Sequence, residues 1–487
     1  MMSLRILSAA LLATALLINT GCSSFEKNQH TLHSPAEQRI SSLAALSNQS
    51  PVTRQLDIQE WQTSAGTPVL FMAAPELPMF DLRLTFAAGS SKDQQHYGLA
   101  SLTNTMLNEG TGQLAADDIA TRFEALGAKF SSGSYRDMAV VSLRSLTDPK
   151  LSAPALELFS SVAAQPSFPA DSLARIKNQL LASFEYQKQD PGILASLALF
   201  EQLYGSHPYA APSAGNPETV PSISRQQLQD FHRTYYTAEN AHIALVGDLT
   251  LAQAKAISEQ VSTRLPRGQA AAKTPAPAAS MASTTHIEFP ATQTQIFLAQ
   301  LAIERGHPDY PALFLGNQIF GGGGFGTRLM EEVREKRGLT YGIYSSLSPM
   351  QAAGPFMISV KTRAQLSEVT LELIQELLRD YLANGPSQAE LERAKRESLG
   401  SFPLSAASNA AIVGQLAAIG FYDMPLSWLS DFMQDLQKLS VSDIHEAFQR
   451  HLNPEQLVIV TAGPTVEQLP LPEAIERSTQ TTLERQH

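Results

Sequence analysis

The residues most able to do chemistry gather in one segment, Gly321-Gly322-Gly323-Gly324-Phe325-Gly326-Thr327-Arg328, which runs on through Arg334, Gly338 and Tyr341. Four successive glycines ahead of a helix could cradle a phosphate. No Gly-Lys-Ser/Thr follows them, however, and their spacing gives no dinucleotide fingerprint. What they permit is positive φ and close backbone approach. Thr327 to Lys336 has a helical, charge-laced pattern with Glu332 and Lys336 one turn apart. Gly338 is placed to end that helix, and a strand is expected from Tyr341 to Ser346. Taken alone, Arg334 reads as a solvated charge and Tyr341 as a half-buried strand aromatic. The chain also carries 11 histidines, yet none in residues 52–487 forms an H-x-x-x-H pair.

The rest of the composition bounds the function. With 43% hydrophobic and 17% charged residues over 487 positions, the chain can bury large cores in two to four domains. A net charge of −11 argues against a dedicated nucleic-acid binder. A single cysteine excludes an intrachain disulfide framework, a Cys-pair zinc site and a CxxC redox motif. That cysteine, Cys22, ends a segment made of Arg5, an apolar run from Ile6 to Ile18, and Asn19-Thr20-Gly21. The run is too short to span a bilayer about 30 Å thick, and it suits a signal peptide. The segment resembles a bacterial lipoprotein signal, although Asn19 stands where a leucine-like residue is usual. The resemblance implies lipidation at Cys22 and a periplasm-facing anchor in the cell envelope, with Ser23 favouring the outer membrane. An ordinary secretory signal with an incidental cysteine and an uncleaved anchor are the alternatives. Residues 1–21 are then signal, and residues 22–51, with His30 and His33, a polar tether.

The elements that position the chemistry come in two copies. Leu173-Ala-Arg175-Ile-Lys177 is matched by Leu391-Glu-Arg393-Ala-Lys395, and Ser183-Phe184 by Ser401-Phe402, at an offset of 218. Glu239-Asn240 with Gly247 is matched by Glu455-Gln456 with Gly463, at an offset of 216. The last pair closes strands at His242–Val246 and Val458–Ala462, and Ser224 and Ser440 are N-cap candidates for the helices before them. Residues 265–285, rich in Ala, Pro, Ser and Thr, read as a linker between a first unit, 52–264, and a second, 286–470. A polar tail, 471–487, follows. Strands are expected at Pro68–Ala73, Phe80–Ala87 and Thr294–Leu301, and helices at Gly98–Asn108, Val369–Ala383 and Ser387–Leu399. The fold class is α+β: two homologous halves, each a mostly antiparallel sheet packed with helices.

At this point a family resemblance enters. Arg334 and Tyr341, seven residues apart within Arg-Glu-Lys-Arg-Gly-Leu-Thr-Tyr, resemble the second half of the pitrilysin/insulinase zinc metallopeptidases, the inverzincins. Gly98-Leu99-Ala100, Asn108-Glu-Gly-Thr111, His207-Pro208-Tyr209 and Tyr236 with Glu239-Asn240 resemble that family's other landmarks, so the likeness covers nearly the whole mature chain. In the family an H-x-x-E-H helix supplies two zinc ligands and a general base. Here the helix reads Gly98-Leu99-Ala100-Ser101-Leu102-Thr103-Asn104-Thr105. Ser101 and Thr105 stand for the histidines and Asn104 for the base. Hydroxyls are poor zinc ligands and an amide cannot take the water's proton. The third ligand position falls near Leu181–Phe184, where only Glu185 lies close. The same hydroxyls and amide could equally be the polar face of an amphipathic helix, and His207 the cap of a turn.

The resemblance implies no metal and no cofactor in this chain, with zinc in a partner subunit that carries H-x-x-E-H. Arg334 and Tyr341 would enter that partner's site, holding substrate and donating to the oxyanion. The glycines Gly321, Gly322, Gly323 and Gly324 would dock an extended peptide along a strand edge. The expected partners are the zinc-binding subunit, a peptide or unfolded-protein substrate and, through Cys22, a membrane. Nucleic acid is not among them. The alternative is a catalytically inactive binding or assembly module of a cell-envelope complex.

Overall fold

In the computed structural model, residues 57–475 are described. The expected signal segment, the expected tether with His30 and His33, and Cys22, the expected lipidation position, lie outside the described residues. The first half lays down β1 (Gln59–Gln62), β2 (Pro68–Ala73), β3 (Met79–Phe86), β4 (Lys129–Ser134), β5 (Ala139–Leu146) and β6 (Ala241–Gly247). They form one sheet in the order β1-β2-β6-β3-β5-β4. Every pairing is antiparallel except β2 with β6. β2 and β3 each show long buried runs, because both of their faces are covered. Its helices include α1 (Leu99–Thr105), α2 (Ala170–Gln187), α3 (Pro191–Tyr204) and α4 (Arg225–Tyr235).

The second half repeats the plan. Its strands β7 (Ser283–Glu288), β8 (Gln293–Leu301), β9 (Ile343–Leu347), β10 (Pro355–Arg363) and β11 (Val458–Gly463) are ordered β9-β10-β8-β11-β7. Only β11 with β7 is parallel. Helices α5 (Gln388–Ser401), α6 (Asn409–Phe421) and α7 (Val441–His451) stand where α2, α3 and α4 stand in the first half. The starts of α2 and α5, and of α3 and α6, are 218 residues apart, and those of α4 and α7 are 216 apart. Ser224 and Ser440 both close capping boxes, with Gln227 and Asp443 respectively.

The two halves exchange helices. One face of each sheet packs on its own half's helices: Leu82, Leu84 and Phe159 lie in the first core, Leu298, Phe320 and Phe448 in the second. The opposite face of the first sheet, with Leu70, Met72 and Val246, is covered by Ile412, Val413 and Leu416 of α6. Reciprocally, Ala299, Val458 and Val460 of the second sheet are covered by Ala195, Leu199 and Leu203 of α3. Each exchanged helix is therefore apolar over most of its length, as the sequence shows.

The expected linker is not a free tether. Residues 266–282 form no helix or strand, and β7 takes up what was expected to be its last three residues. Gly268 N donates to Glu239 at 2.8 Å, Ala271 N to Asn240 at 2.8 Å and Thr274 N to Gln351 at 2.9 Å. Backbone donors that a solvated linker would leave to water are here met by side chains of both halves. The tail is tied down as well where it is described, with Ile475 N donating to Lys336 O at 2.8 Å.

Candidate functional site

The helix expected to carry the altered metal motif is α1, and its entry is built tightly. Gly98 adopts φ +96°, and a Cβ there would lie 2.9 Å from Ala214 O, so glycine is required. Asp93, 2% exposed, accepts the N–H groups of Gly98 at 2.8 Å and Ala100 at 2.7 Å. Burial pushes the Asp93 carboxyl up to about 7, although both N–H bonds pull the other way.

From that start the helix turns two kinds of residue in two directions. Ser101 is half-buried and Thr105 exposed, and Thr105 Oγ1 donates back to Ser101 O at 2.9 Å. Asn104 points inward: it is 2% exposed, and its Nδ2 donates to Tyr236 Oη at 3.2 Å and Val140 O at 3.4 Å. Thr103 is also buried and donates to Leu99 O at 2.7 Å. The expectation of a single polar face fails here. Only Ser101 and Thr105 share the outer face, while Asn104 pins the helix to the core. Glu185, on α2, is exposed and paired with Lys188 at 2.7 Å. No imidazole or carboxylate on α1 can take the role of ligand or base.

Another set of metal-capable groups lies in the second half. His307, Asp309 and His451 bring ligand atoms within 4.8 Å of one another. Those donors are already engaged. Arg450 bonds both Asp309 oxygens at 3.1 Å, His451 Nε2 lies 2.8 Å from one of them, and His307 Nδ1 accepts the Asp309 N–H at 3.0 Å. Arg450 supplies the positive charge that a cation would, and together with His451 it holds the Asp309 carboxyl below its ordinary range even though burial pushes it up. The cluster is an ion-pair network joining the end of α7 to the loop at Asp309.

The glycine-rich segment departs from its expected form. Gln318–Gly322 is a wide helical turn, not a strand. A Cβ on Gly321 would meet Leu329 and Ser345 at 2.6 Å, and one on Gly322 would meet Asn317 at 2.4 Å. Asn317 Nδ2 donates to Ser345 O at 3.4 Å, and Ser345 Oγ to Asn317 Oδ1 at 2.7 Å. Gly321 and Gly322 therefore let this turn close against β9, an edge strand of the second sheet, instead of offering an edge of their own. Gly323 and Gly324 turn the chain toward Phe325.

Arg334 and Tyr341 are presented by the elements that follow. Met330–Glu335 has wider turns than the regular helix expected, with Lys336 N donating to Glu331 O. Gly338, at φ +60°, stops it and donates to Arg334 O at 2.9 Å. The Arg334 guanidinium lies 4.7 Å above the Phe325 ring and 3.3 Å from Glu335. Tyr341 precedes β9 and is 91% exposed. Its neighbours fix it there: Leu339 and Ile343 are buried, and Thr340 Oγ1 donates to Lys361 O at 2.7 Å. Tyr341 is thus presented to solvent from a firmly anchored turn. Phe325 was not singled out from the sequence, and the four glycines ahead of it were the signal that something was held at the tip. His207 does cap its turn, through Nδ1 to Tyr209 N, and its Nε2 reaches Pro275 O at 2.8 Å.

Two α+β halves, a helix α1 that carries no imidazole or carboxylate, and a half-buried Arg334 near a fully presented Tyr341 define the class: a peptidase-like fold without metal ligands on that helix. Residues 69–216 match the model for Insulinase (Peptidase family M16), and residues 222–398 match that for the Peptidase M16 inactive domain. The chain belongs to the insulinase, or M16 peptidase, family. It is 25% identical over 391 residues to the Non-peptidase homolog YmxG of Helicobacter pylori, covering 80% of this chain and 89% of that one. The crystal structure of a peptidase M16 inactive domain from Pseudomonas fluorescens is 58% identical with a TM-score of 0.83, covering 85% of this chain and 100% of that one. The periplasmic protease PqqL of Escherichia coli shares the fold, with a TM-score of 0.71 at 15% identity, over 86% of this chain but 47% of PqqL.

Proposed function

We propose that this chain is the non-zinc-binding subunit of a two-chain M16 metallopeptidase and completes the site of a zinc-bearing partner. The observation that carries the reading is the contrast between two segments. Asn104, at the position of the base, is buried as a structural pin, whereas Tyr341 is held 91% exposed, with no hydrogen bond from its hydroxyl among the described residues. The name of the Helicobacter relative and the description of the Pseudomonas structure support a chain without peptidase activity of its own. That this chain matches 47% of PqqL supports a working unit about twice its size.

In the pair, a zinc held by the partner would supply the activated water. Tyr341 Oη donates to the oxyanion of the tetrahedral intermediate, a contact worth about 3–4 kcal/mol when preorganised. Arg334 holds a backbone carbonyl or an acidic group of the peptide. The substrates are peptides or unfolded proteins. Lipidation at Cys22 would place the pair on the periplasmic side of the outer membrane.

The test is co-expression with the zinc-bearing subunit and a peptide-cleavage assay. Tyr341→Phe is expected to lower kcat on the order of 100-fold, with pair formation unchanged. If Tyr341→Phe and Arg334→Ala both leave cleavage untouched while the pair still forms, the chain is instead a binding or assembly module.

A further inference from the structure

Phe325 is 73% exposed, yet it sits at a fixed place. It is flanked by Gly324 at φ +79° and Gly326 at φ +83°, two left-handed positions that turn the chain out and back. The return is anchored, because Arg393 of α5 donates to Gly326 O at 2.6 Å. Among the described residues, the Arg334 guanidinium lies 4.7 Å above this ring at the tip of the loop. Arg334 in turn keeps Glu335 at 3.3 Å beside it, and its side chain stays 30% exposed. One face of the guanidinium is thus shielded from water by the ring, while part of the cation still meets solvent. Shielding one face of a guanidinium strengthens the bonds that its open N–H groups make. Tyr341 and Tyr344, both exposed, stand in the segment that follows.

We infer that Phe325 is a positioning residue for Arg334, and that ring and guanidinium together form a subsite for an apolar or aromatic peptide side chain next to a carbonyl or carboxylate. The inference rests on the proposed role of Arg334 and extends it to the class of peptide taken. The open N–H groups of Arg334 bond the peptide oxygen, and the exposed surface of Phe325 covers the adjoining apolar side chain. Removal of the ring frees the arginine to adopt other rotamers and removes the apolar wall. Both losses weaken binding without touching the zinc chemistry.

The experiment uses the two-chain enzyme and two quenched-fluorescence peptides that differ only by Phe or Gly beside a glutamate. Phe325→Ala is expected to raise KM about fivefold on the Phe peptide, with kcat changed less than twofold. It is also expected to erase the preference over the Gly peptide. Phe325→Trp should restore KM, and Phe325→Leu should restore the apolar preference but not the full affinity. Because Phe325 is exposed, the melting temperature should stay within a degree or two of wild type throughout. An unchanged KM in Phe325→Ala, with Tyr341→Phe still lowering kcat, overturns the inference and leaves the proposed function standing. Loss of every effect, including those of Tyr341→Phe and Arg334→Ala, overturns the proposed function itself.

Discussion

The carboxylate of Asp137, in the turn between β4 and β5, accepts a 2.8 Å hydrogen bond from the backbone N–H of Gln351 in the other half of the chain. Asp137 is 4% exposed and takes two further donors, the hydroxyls of Tyr209 and of Tyr422, the latter at 3.3 Å. Tyr209 Oη is itself bonded by Ala352 N at 3.2 Å. Three donors from both halves thus converge on one buried carboxylate. Asp137→Ala would strand a backbone N–H and a buried hydroxyl, and is expected to cost about 3 kcal/mol. Tyr422→Phe, which removes the longest of the three bonds, should cost about 1 kcal/mol. Chemical denaturation of the purified chain checks both, and equal losses in the two variants would count against a hub centred on Asp137.

The exchange of α3 and α6 makes a second prediction. Leu199 and Leu416 are both fully buried, each against the sheet of the half to which it does not belong in sequence. Truncating either to alanine should cost about 2–5 kcal/mol. Because each helix completes the other half's core, the described region should unfold in one transition, and residues 57–282 expressed alone should not yield a cooperatively folded unit. A reversible, independent transition of that fragment would show that the exchange is dispensable.

Much of this architecture is legible in the sequence, for identifiable reasons. The offset of 218 between Arg175 and Arg393 reports the duplication, and Ser224 and Ser440 mark helix starts because capping is chemistry local to four residues. Strand Pro68–Ala73 is found where expected because an apolar run between turn signals carries its own boundaries. The exchange of α3 and α6 is not legible, since an apolar helix gives no sign of which sheet it covers. The linker looked loose because its composition is that of a loop, whereas its hydrogen bonds go to Glu239, Asn240 and Gln351, far away in sequence. The strand edge expected at the glycines is a helical turn because Gly321 and Gly322 answer to Asn317 and Ser345, contacts that no local pattern encodes. Phe325 is not legible for a similar reason: its meaning lies in Arg334, nine residues on.

Regrafting the family's ligands onto α1 should fail. Asn104 is packed against Tyr236 and Val140, so Asn104→Glu places a carboxylate where water barely reaches. That substitution alone should cost more than about 2 kcal/mol. The triple variant Ser101→His, Asn104→Glu, Thr105→His still has no carboxylate among Leu181–Phe184, and Glu185 is turned to solvent and paired with Lys188. Metal analysis after dialysis is expected to find well under one zinc per chain. A stoichiometric, tightly held zinc in the triple variant would show that the scaffold still presents a third ligand.

Two buried groups of the first half should oppose each other in the pH dependence of stability. His232 packs on Tyr236, with its Nε2 2.8 Å from Ala163 O, and burial pulls its pKa down to about 4. Its contribution is full above about pH 6.5 and is lost as pH falls through 4. Asp93 is the reverse case. Burial pushes its pKa up to about 7, so its contribution is full below about pH 4 and is lost as pH rises through 7. Across pH 4–7 the two slopes have opposite signs and largely cancel. Each single substitution should therefore expose the other group. His232→Gln is expected to become less stable as pH rises from 4 to 7, and Asp93→Asn to become more stable over the same range, each by on the order of 2 kcal/mol. Denaturation midpoints at half-unit steps of pH would measure both slopes. Parallel slopes in the two variants would mean that at least one of these groups does not titrate as its burial requires.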